Sequence, residues 1–143
     1  MKTLIATALT AAALALPVMA QDTARPQLTA DEAISALQLT DVTRRGNDLS
    51  GTLPGGQIVE LDFDRNGHLE EIEARNPRLI PISAVAAILP ETLRNAERFP
   101  IDGEFEKIDF DHDSTEIEGR DAQNRPFEAD YDTAGNLLKW ELD

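Results

Sequence analysis

The stretch "FEADYDTAGNLLKWEL", residues 127–142, carries the pattern on which the fold turns. In an extended strand alternate residues share a face, so Phe127, Ala129 and Tyr131 point one way and Glu128, Asp130 and Asp132 the other. With Asp132 and Leu137 flanking a four-residue "TAGN" loop, Tyr131 falls opposite Leu138, Ala129 opposite Trp140 and Phe127 opposite Leu142. Apolar meets apolar at each pair, Asp130 meets Lys139, and Gly135 supplies the positive φ that such loops need. The stretch reads as a β-hairpin with an apolar and an acidic face. Its aromatics Phe127, Tyr131 and Trp140 stand at core spacing.

An earlier stretch, "VELDFDRNGHLEEIEA" at 59–74, repeats it at an offset of 68. Glu60/Glu128, Asp62/Asp130, Asp64/Asp132, Gly67/Gly135, Leu69/Leu137 and Glu73/Glu141 coincide, Phe63 matches Tyr131, and Gly51 falls on Gly119. An internal duplication explains this most simply. The same register pairs Leu61 with Ile72 and Val59 with Ala74, but sets Phe63 against Glu70. It also sets Asp62 against Glu71, a like-charge pair where the second copy has Asp130 and Lys139.

As letters alone, Asp62, Asp64, Asn66, Gly67 and Glu73 also match an EF-hand calcium loop. That loop needs a helix on each side so that its ligands curl around one ion. Here "PGGQIVEL" precedes it with strand signals, and "EARNPRLIP" follows with two prolines. On a strand, Asp62 and Asp64 start ~7 Å apart rather than wrapping a cation at ~2.4 Å. The hairpin reading prevails, with a divalent-cation (calcium) binder using the acidic hairpin Asp62–Glu73 kept as the alternative.

Each copy opens with helical sequence. "LTADEAISALQ" has Thr29 and Glu32 in capping-box spacing and Ala33, Ile34 and Leu37 on one face. "PISAVAAILPETLRNAERFP" is longer, and Pro90 divides it into two short helical pieces, opening the second. Strand-like runs follow at Thr40–Arg45, Asp48–Leu53, Gln57–Asp64 and His68–Ala74, then at Phe105–Phe110, Thr115–Arg120, Phe127–Asp132 and Asn136–Leu142. The expected class is α+β: two tandem units, each a helix plus an antiparallel β-meander, with helices packed on one sheet face. The units span 29–75 and 82–143, with a linker at 76–81 and a flexible segment at 21–28.

The second copy, "FEKIDFDHDSTEIEGRDAQNRPFEADYDTAGNLLKWELD", resembles a PepSY domain: a hydrophobic strand, an "EIEGRD" strand, a polar turn, an "FEADYD" strand and a "D-x-x-G-x-L" hairpin. The first copy is similar, although its "NDLSGTL" strand lacks the acidic-aromatic pattern. The resemblance covers nearly all of residues 29–143. It implies a helix-on-sheet module of exported proteins, found also in propeptides of secreted peptidases with a proposed inhibitory role. It implies no catalytic residues.

Lys2 and the apolar run "LIATALTAAALALPV", ending in Val18-Met19-Ala20, read as a secretory signal peptide over 1–20, cleaved after Ala20. The run is shorter than the ~18 residues that a spanning helix needs. No cysteine is available for a lipid anchor, a disulfide or a thiolate metal site. The expected location is periplasmic or secreted, with no membrane anchor.

The chain holds 13 Lys+Arg against 27 Asp+Glu, net −14, and loses Lys2 with the signal peptide to reach −15. Nucleic acid needs a basic patch and is an unsuitable partner; a basic protein surface or a cation suits this charge. Asp109-Phe110-Asp111-His112-Asp113 offers one histidine and reads as a strand end in a polar turn rather than a metal site. His68 falls in the first hairpin loop, exposed and without a partner. Ser35, Ser50, Ser83 and Ser114 lack a nucleophile setting. The many carboxylates promise a uniformly wet face, unlike the two distinct environments that acid–base catalysis requires. No catalytic, cofactor or metal residue is assigned. The expected function is a non-catalytic binding module, possessing an acidic sheet face that contacts a basic partner such as a peptidase.

Overall fold

The computed structural model describes residues 25–143; the signal-peptide reading of 1–20 lies outside the described residues. Helix α1 (Ala30–Leu37) leads into strands β1 (Thr40–Arg45), β2 (Asp48–Thr52), β3 (Ile58–Phe63), β4 (Leu69–Asn76) and the short β5 (Ile80–Pro81). A helical stretch with α2 (Glu91–Arg94) separates these from β6 (Glu104–Phe110), β7 (Ser114–Arg120), β8 (Pro126–Asp132) and β9 (Leu137–Leu142). All nine strands join one antiparallel sheet in the order β1-β2-β3-β4-β6-β7-β8-β9, with β5 beside the start of β6. The fold is α+β and dominated by its sheet.

The halves meet where β4 pairs β6, through Glu71↔Asp109, Ile72↔Ile108 and Glu73↔Lys107. Ile80 and Pro81, at the end of the stretch expected as a linker, thus pair with Phe105 and Glu104.

Thr29 caps α1 as its spacing requires. The Glu32 N–H donates to Thr29 Oγ1 at 3.2 Å, and the Thr29 N–H donates to Glu32 Oε2 at 2.6 Å. Residues 82–88 correct one expectation. They form two 3-10 turns, Ile82–Ala84 and Ala86–Ile88, rather than an α-helical piece. Val85, Ile88 and Leu89 donate to carbonyls three residues back, the 3-10 pattern. Pro90 does open α2.

Alternation sends one face of the sheet inward. Leu49, Val59, Leu61, Phe63, Ile72, Phe105, Ile108, Phe110, Ile117, Phe127 and Tyr131 join Ala33, Leu37, Ile82, Val85, Ile88 and Leu93 in a single buried cluster. Fully burying one such aliphatic or aromatic side chain contributes roughly 1.5–3 kcal/mol. Gly119 is required by close approach: a Cβ there lies 1.9 Å from the Glu104 carbonyl oxygen.

Both hairpins depart from the expected register at the same place. Asp62 pairs Glu71 but Phe63 pairs Leu69, and Asp130 pairs Lys139 but Tyr131 pairs Leu137. Glu70 and Leu138, 68 residues apart, are therefore the extra residues of two β-bulges. The cause is burial. The bulge places Leu69, fully buried, beneath Phe63 in place of Glu70, and leaves Leu138 61% exposed instead of opposite Tyr131.

Residues 25–28, expected to be flexible, are held. Arg25 donates to the Phe110 carbonyl at 2.9 Å and pairs with Asp64 at 3.2 Å and Glu70 at 2.9 Å, while the Leu69 N–H donates to the Pro26 carbonyl at 3.2 Å.

Candidate functional site: the acidic sheet face

Residues in register on neighbouring strands project from the same side of a sheet. Following the pairs outward from Asp62 gives a row across seven strands: Asp48, Asp62, Glu71, Asp109, Glu116, Asp130 and Lys139. Six of the seven are carboxylates. A second row lies beside it: Ser50, Glu60, Glu73, Lys107, Glu118, Glu128 and Glu141. At ~4.8 Å per strand each row extends about 29 Å.

Three cations are set into this surface. Arg75 holds both oxygens of Glu60, through Nε at 2.9 Å and a terminal nitrogen at 3.0 Å, and reaches Glu73 at 3.0 Å. Lys107 bridges Glu71 at 3.2 Å and Asp109 at 3.0 Å. Lys139 bridges Glu128 at 2.7 Å and Glu141 at 3.1 Å. Both lysines are raised above their ordinary range, chiefly by hydrogen bonds to Asp109 and to Glu128 respectively.

The remaining carboxylates crowd one another. Asp48, Glu60 and Asp62 bring carboxylate oxygens within 4.8 Å, and so do Glu116, Glu128 and Asp130. The two triads stand 68 residues apart, member for member. Burial, then Asp48, Glu60 and Glu71, push Asp62 up to about 6. Its Oδ1 is enclosed and lacks a hydrogen-bond partner among the described residues. Burial, then Glu118, Glu128 and Asp130, push Glu116 up to about 7. Burial also raises Asp130, against the opposing pull of Lys139. The uniformly wet face expected from composition is thus corrected: most members of both rows are half-buried by their neighbours.

The EF-hand geometry does not form, because strands, not helices, flank the loop. Asp64 is occupied by its turn. Its Oδ1 accepts the Asn66 N–H at 2.7 Å and the His68 N–H at 2.9 Å, and its Oδ2 accepts from Arg25. Asp132 repeats this, accepting the Ala134 and Asn136 N–H groups at 3.0 and 2.8 Å and the Asn136 side chain at 2.8 Å. Asp121 makes a third such turn with Gln123 and Arg125. Backbone donation from His68 lowers Asp64, and the Asn136 side chain and N–H lower Asp132. Burial works against Asp121, but bonds from Arg125 outweigh it and lower that group too.

His68, expected to be exposed and unpartnered, is half-buried with Nδ1 3.3 Å from Asp64 Oδ2. Asp109 joins the first row, Phe110 enters the core, and Asp111, His112 and Asp113 form an exposed connection to β7. Phe127 stacks on Trp140 with centroids 5.0 Å apart, Arg98 covers the Trp140 ring at 4.3 Å, and Tyr131 donates to the Arg98 carbonyl at 3.1 Å.

Reading the hairpins alone located Glu60, Asp62, Glu71, Glu73, Glu128, Asp130 and Lys139. It missed Asp48, Asp109, Glu116 and Glu118, which β2, β6 and β7 deliver. The signal was present: Asp48 and Glu116 also stand 68 apart, and "KIDF" and "TEIEG" alternate as the hairpins do. Compared with protein-family models, curated proteins and solved structures, the chain gives no match.

Proposed function

We propose that this is an exported, non-catalytic binding module of two PepSY-like units, 29–75 and 82–143, whose acidic sheet face docks a basic protein surface. A peptidase inhibited or regulated by that contact is the favoured partner class. Supporting the tandem reading, β2, β3 and β4 correspond to β7, β8 and β9 at the 68-residue offset, down to the bulges at Glu70 and Leu138 and the turns at Asp64 and Asp132.

The observation that carries the docking reading is the pair of carboxylate rows, in which two lysines, with Arg75 alongside, offset eleven acids. A basic partner supplies the missing charge and steers toward the face over about a Debye length. Catalysis fits less well. Asp62 and Glu116 stand on β3 and β7, three strand spacings or about 14 Å apart, too far to act on one bond. Asp130, raised beside Glu116, shares its acidic surroundings rather than supplying a second, distinct environment.

The test is a salt-graded pull-down of the mature chain from extracytoplasmic extract, with and without chelator. A parallel variant carries Asp48→Asn, Asp109→Asn, Glu116→Gln and Glu118→Gln. Capture that fades above physiological salt and in the variant supports the reading. Capture that is equal at low and high salt, or undiminished in the variant, overturns it.

A second reading, a divalent-cation binder, draws on the enclosed and unpartnered Asp62 Oδ1 beside Asp48 and Glu60. The cation then sits on the sheet surface rather than in the loop. Against it, Glu60 already gives both oxygens to Arg75. Calcium should raise the thermal midpoint by mass action, and Asp62→Asn with Glu71→Gln should remove the effect. No heat and no shift at millimolar calcium disposes of it.

A further inference from the structure

Among the described residues the sheet ends in two edge strands, β1 and β9, and they differ. In β1, Asp41 takes a left-handed φ of 50°, the register with β2 shifts between Thr40 and Thr43, and Arg44 and Arg45 close the strand. Breaks and charges of this kind blunt an edge against pairing. In β9 the bulge at Leu138 lies at the turn end, the register with β8 then runs unshifted from Lys139 to Leu142, and Leu138 and Leu142 stand 61% and 46% exposed.

The β9 backbone is also aimed outward at known positions. The Asp143 N–H donates to the Pro126 carbonyl at 3.3 Å, which makes 126/143 a hydrogen-bonded pair. Pairs alternate along an antiparallel ladder, so 128/141 and 130/139 are bonded while 127/142 and 129/140 are not. Trp140 and Leu142 therefore turn their N–H and C=O groups to the open side.

The sequence along that edge, "LLKWEL" at 137–142, is complementary to itself. With a second β9 laid antiparallel on a two-fold axis through Trp140, the two Trp140 residues exchange both backbone bonds. Lys139 then faces Glu141 of the other copy, at the non-hydrogen-bonded positions where side chains approach most closely. Leu142 of the other copy then comes beside the bulged Leu138, so that two exposed side chains cover each other. An axis through Lys139 or Glu141 instead sets like charges against each other.

We propose that β9 is a homodimerisation edge, to which a second copy of this chain adds its own β9 about a two-fold axis through Trp140. The contact is isologous and closes, so it stops at two copies. It also extends both acidic rows into the second sheet. Two bodies of net charge −15 repel, so salt should strengthen this association while weakening the docking of a basic partner. The two readings consequently fail separately.

The test is sedimentation equilibrium of the mature chain over a wide concentration range, at low and high salt. The mass should rise from one copy toward two, more readily at high salt. Lys139→Glu or Glu141→Lys alone should move half-association to a concentration at least about tenfold higher. The two variants mixed, or both changes in one chain, restore opposite charges across the axis and should recover the dimer. Leu142→Pro removes an outward N–H without breaking a bond to β8, and should abolish association while circular dichroism stays native. If a single charge variant unfolds, the doubly swapped chain and Leu142→Pro decide. A monomer at every concentration, open-ended growth, or a dimer indifferent to these changes overturns the proposal.

Discussion

Asp62 faces Glu71 across β3 and β4, carboxylate to carboxylate, whereas the corresponding residues of the second hairpin, Asp130 and Lys139, carry opposite charges. The first hairpin bears a repulsion that the second has lost. Lys107 reaches Glu71 from β6 but makes no ion pair with Asp62, whose enclosed Oδ1 has no donor among the described residues.

Neutralising that residue should therefore stabilise the fold. Asp62→Asn keeps the shape and removes a charge that is unfavourable by a few tenths to about 1 kcal/mol. Denaturant unfolding at pH 8 should show a higher midpoint with an unchanged slope, and the gain should shrink near pH 5, where wild-type Asp62 is itself protonated. A lower midpoint at pH 8 counts against this account.

The pH dependence of stability has a definite sign. Asp62 and Glu116 hold protons more tightly folded than unfolded, with folded values of about 6 and about 7 against ordinary values of 3.8 and 4.5. That advantage is complete below the ordinary values and is lost as pH rises through 6 and 7. Discounted for solvent screening, it amounts to on the order of 1 kcal/mol for each group. Asp64, Asp121 and Asp132 act oppositely: their advantage is present above 3.8 and is lost as pH falls below it. The thermal midpoint should peak in mild acid, near pH 5, and decline toward pH 8. A profile flat or rising from 5 to 8 contradicts the crowded-carboxylate description.

The turn aspartates should behave as structural groups. Asp132→Ala removes an acceptor of three hydrogen bonds, two from backbone N–H groups, and should cost about 1–3 kcal/mol by chemical denaturation. Asp132→Asn retains a side-chain oxygen that can close the same turn and should cost less. The same ordering is expected at Asp64.

Gly119→Ala probes the tightest of the glycine positions. Its Cβ lands 1.9 Å from the Glu104 carbonyl oxygen and 2.8 Å from the Phe105 Cα, both backbone atoms that cannot swing aside. The β6–β7 ladder must shift, at a cost of about 3 kcal/mol or more, read as a large fall in the denaturation midpoint. Arg120→Ala, next in the strand, is the control and should move it far less.

β2, β3, β7 and β8 were legible because each keeps a period of two over five to seven residues, and because β2–β4 and β7–β9 check one another at an offset of 68. Thr29 and Glu32 announced α1 by their spacing, and Pro90 announced α2. The bulges at Glu70 and Leu138 were not legible. A strict alternation count sets Phe63 against Glu70, and only the demand to bury Leu69 under Phe63 adds the extra residue. The 3-10 turns of 82–88 were missed because apolar spacing does not distinguish three residues per turn from 3.6 across so short a stretch. His68 gained its partner through the turn that Asp64 closes.

Two acidic hairpins, their turns and their inward and outward faces follow from the sequence alone, since side-chain direction on a strand is a local property of the backbone. The tertiary structure decided what those faces become. Pairing of β4 with β6 joins the halves, and residues scattered from Asp48 to Glu141 fall into two continuous rows. Carboxylates that would each be solvated on an isolated strand then desolvate and repel one another, because register across strands sets their separation. Those contacts connect residues far apart in the chain, so hairpin patterning alone did not reveal them.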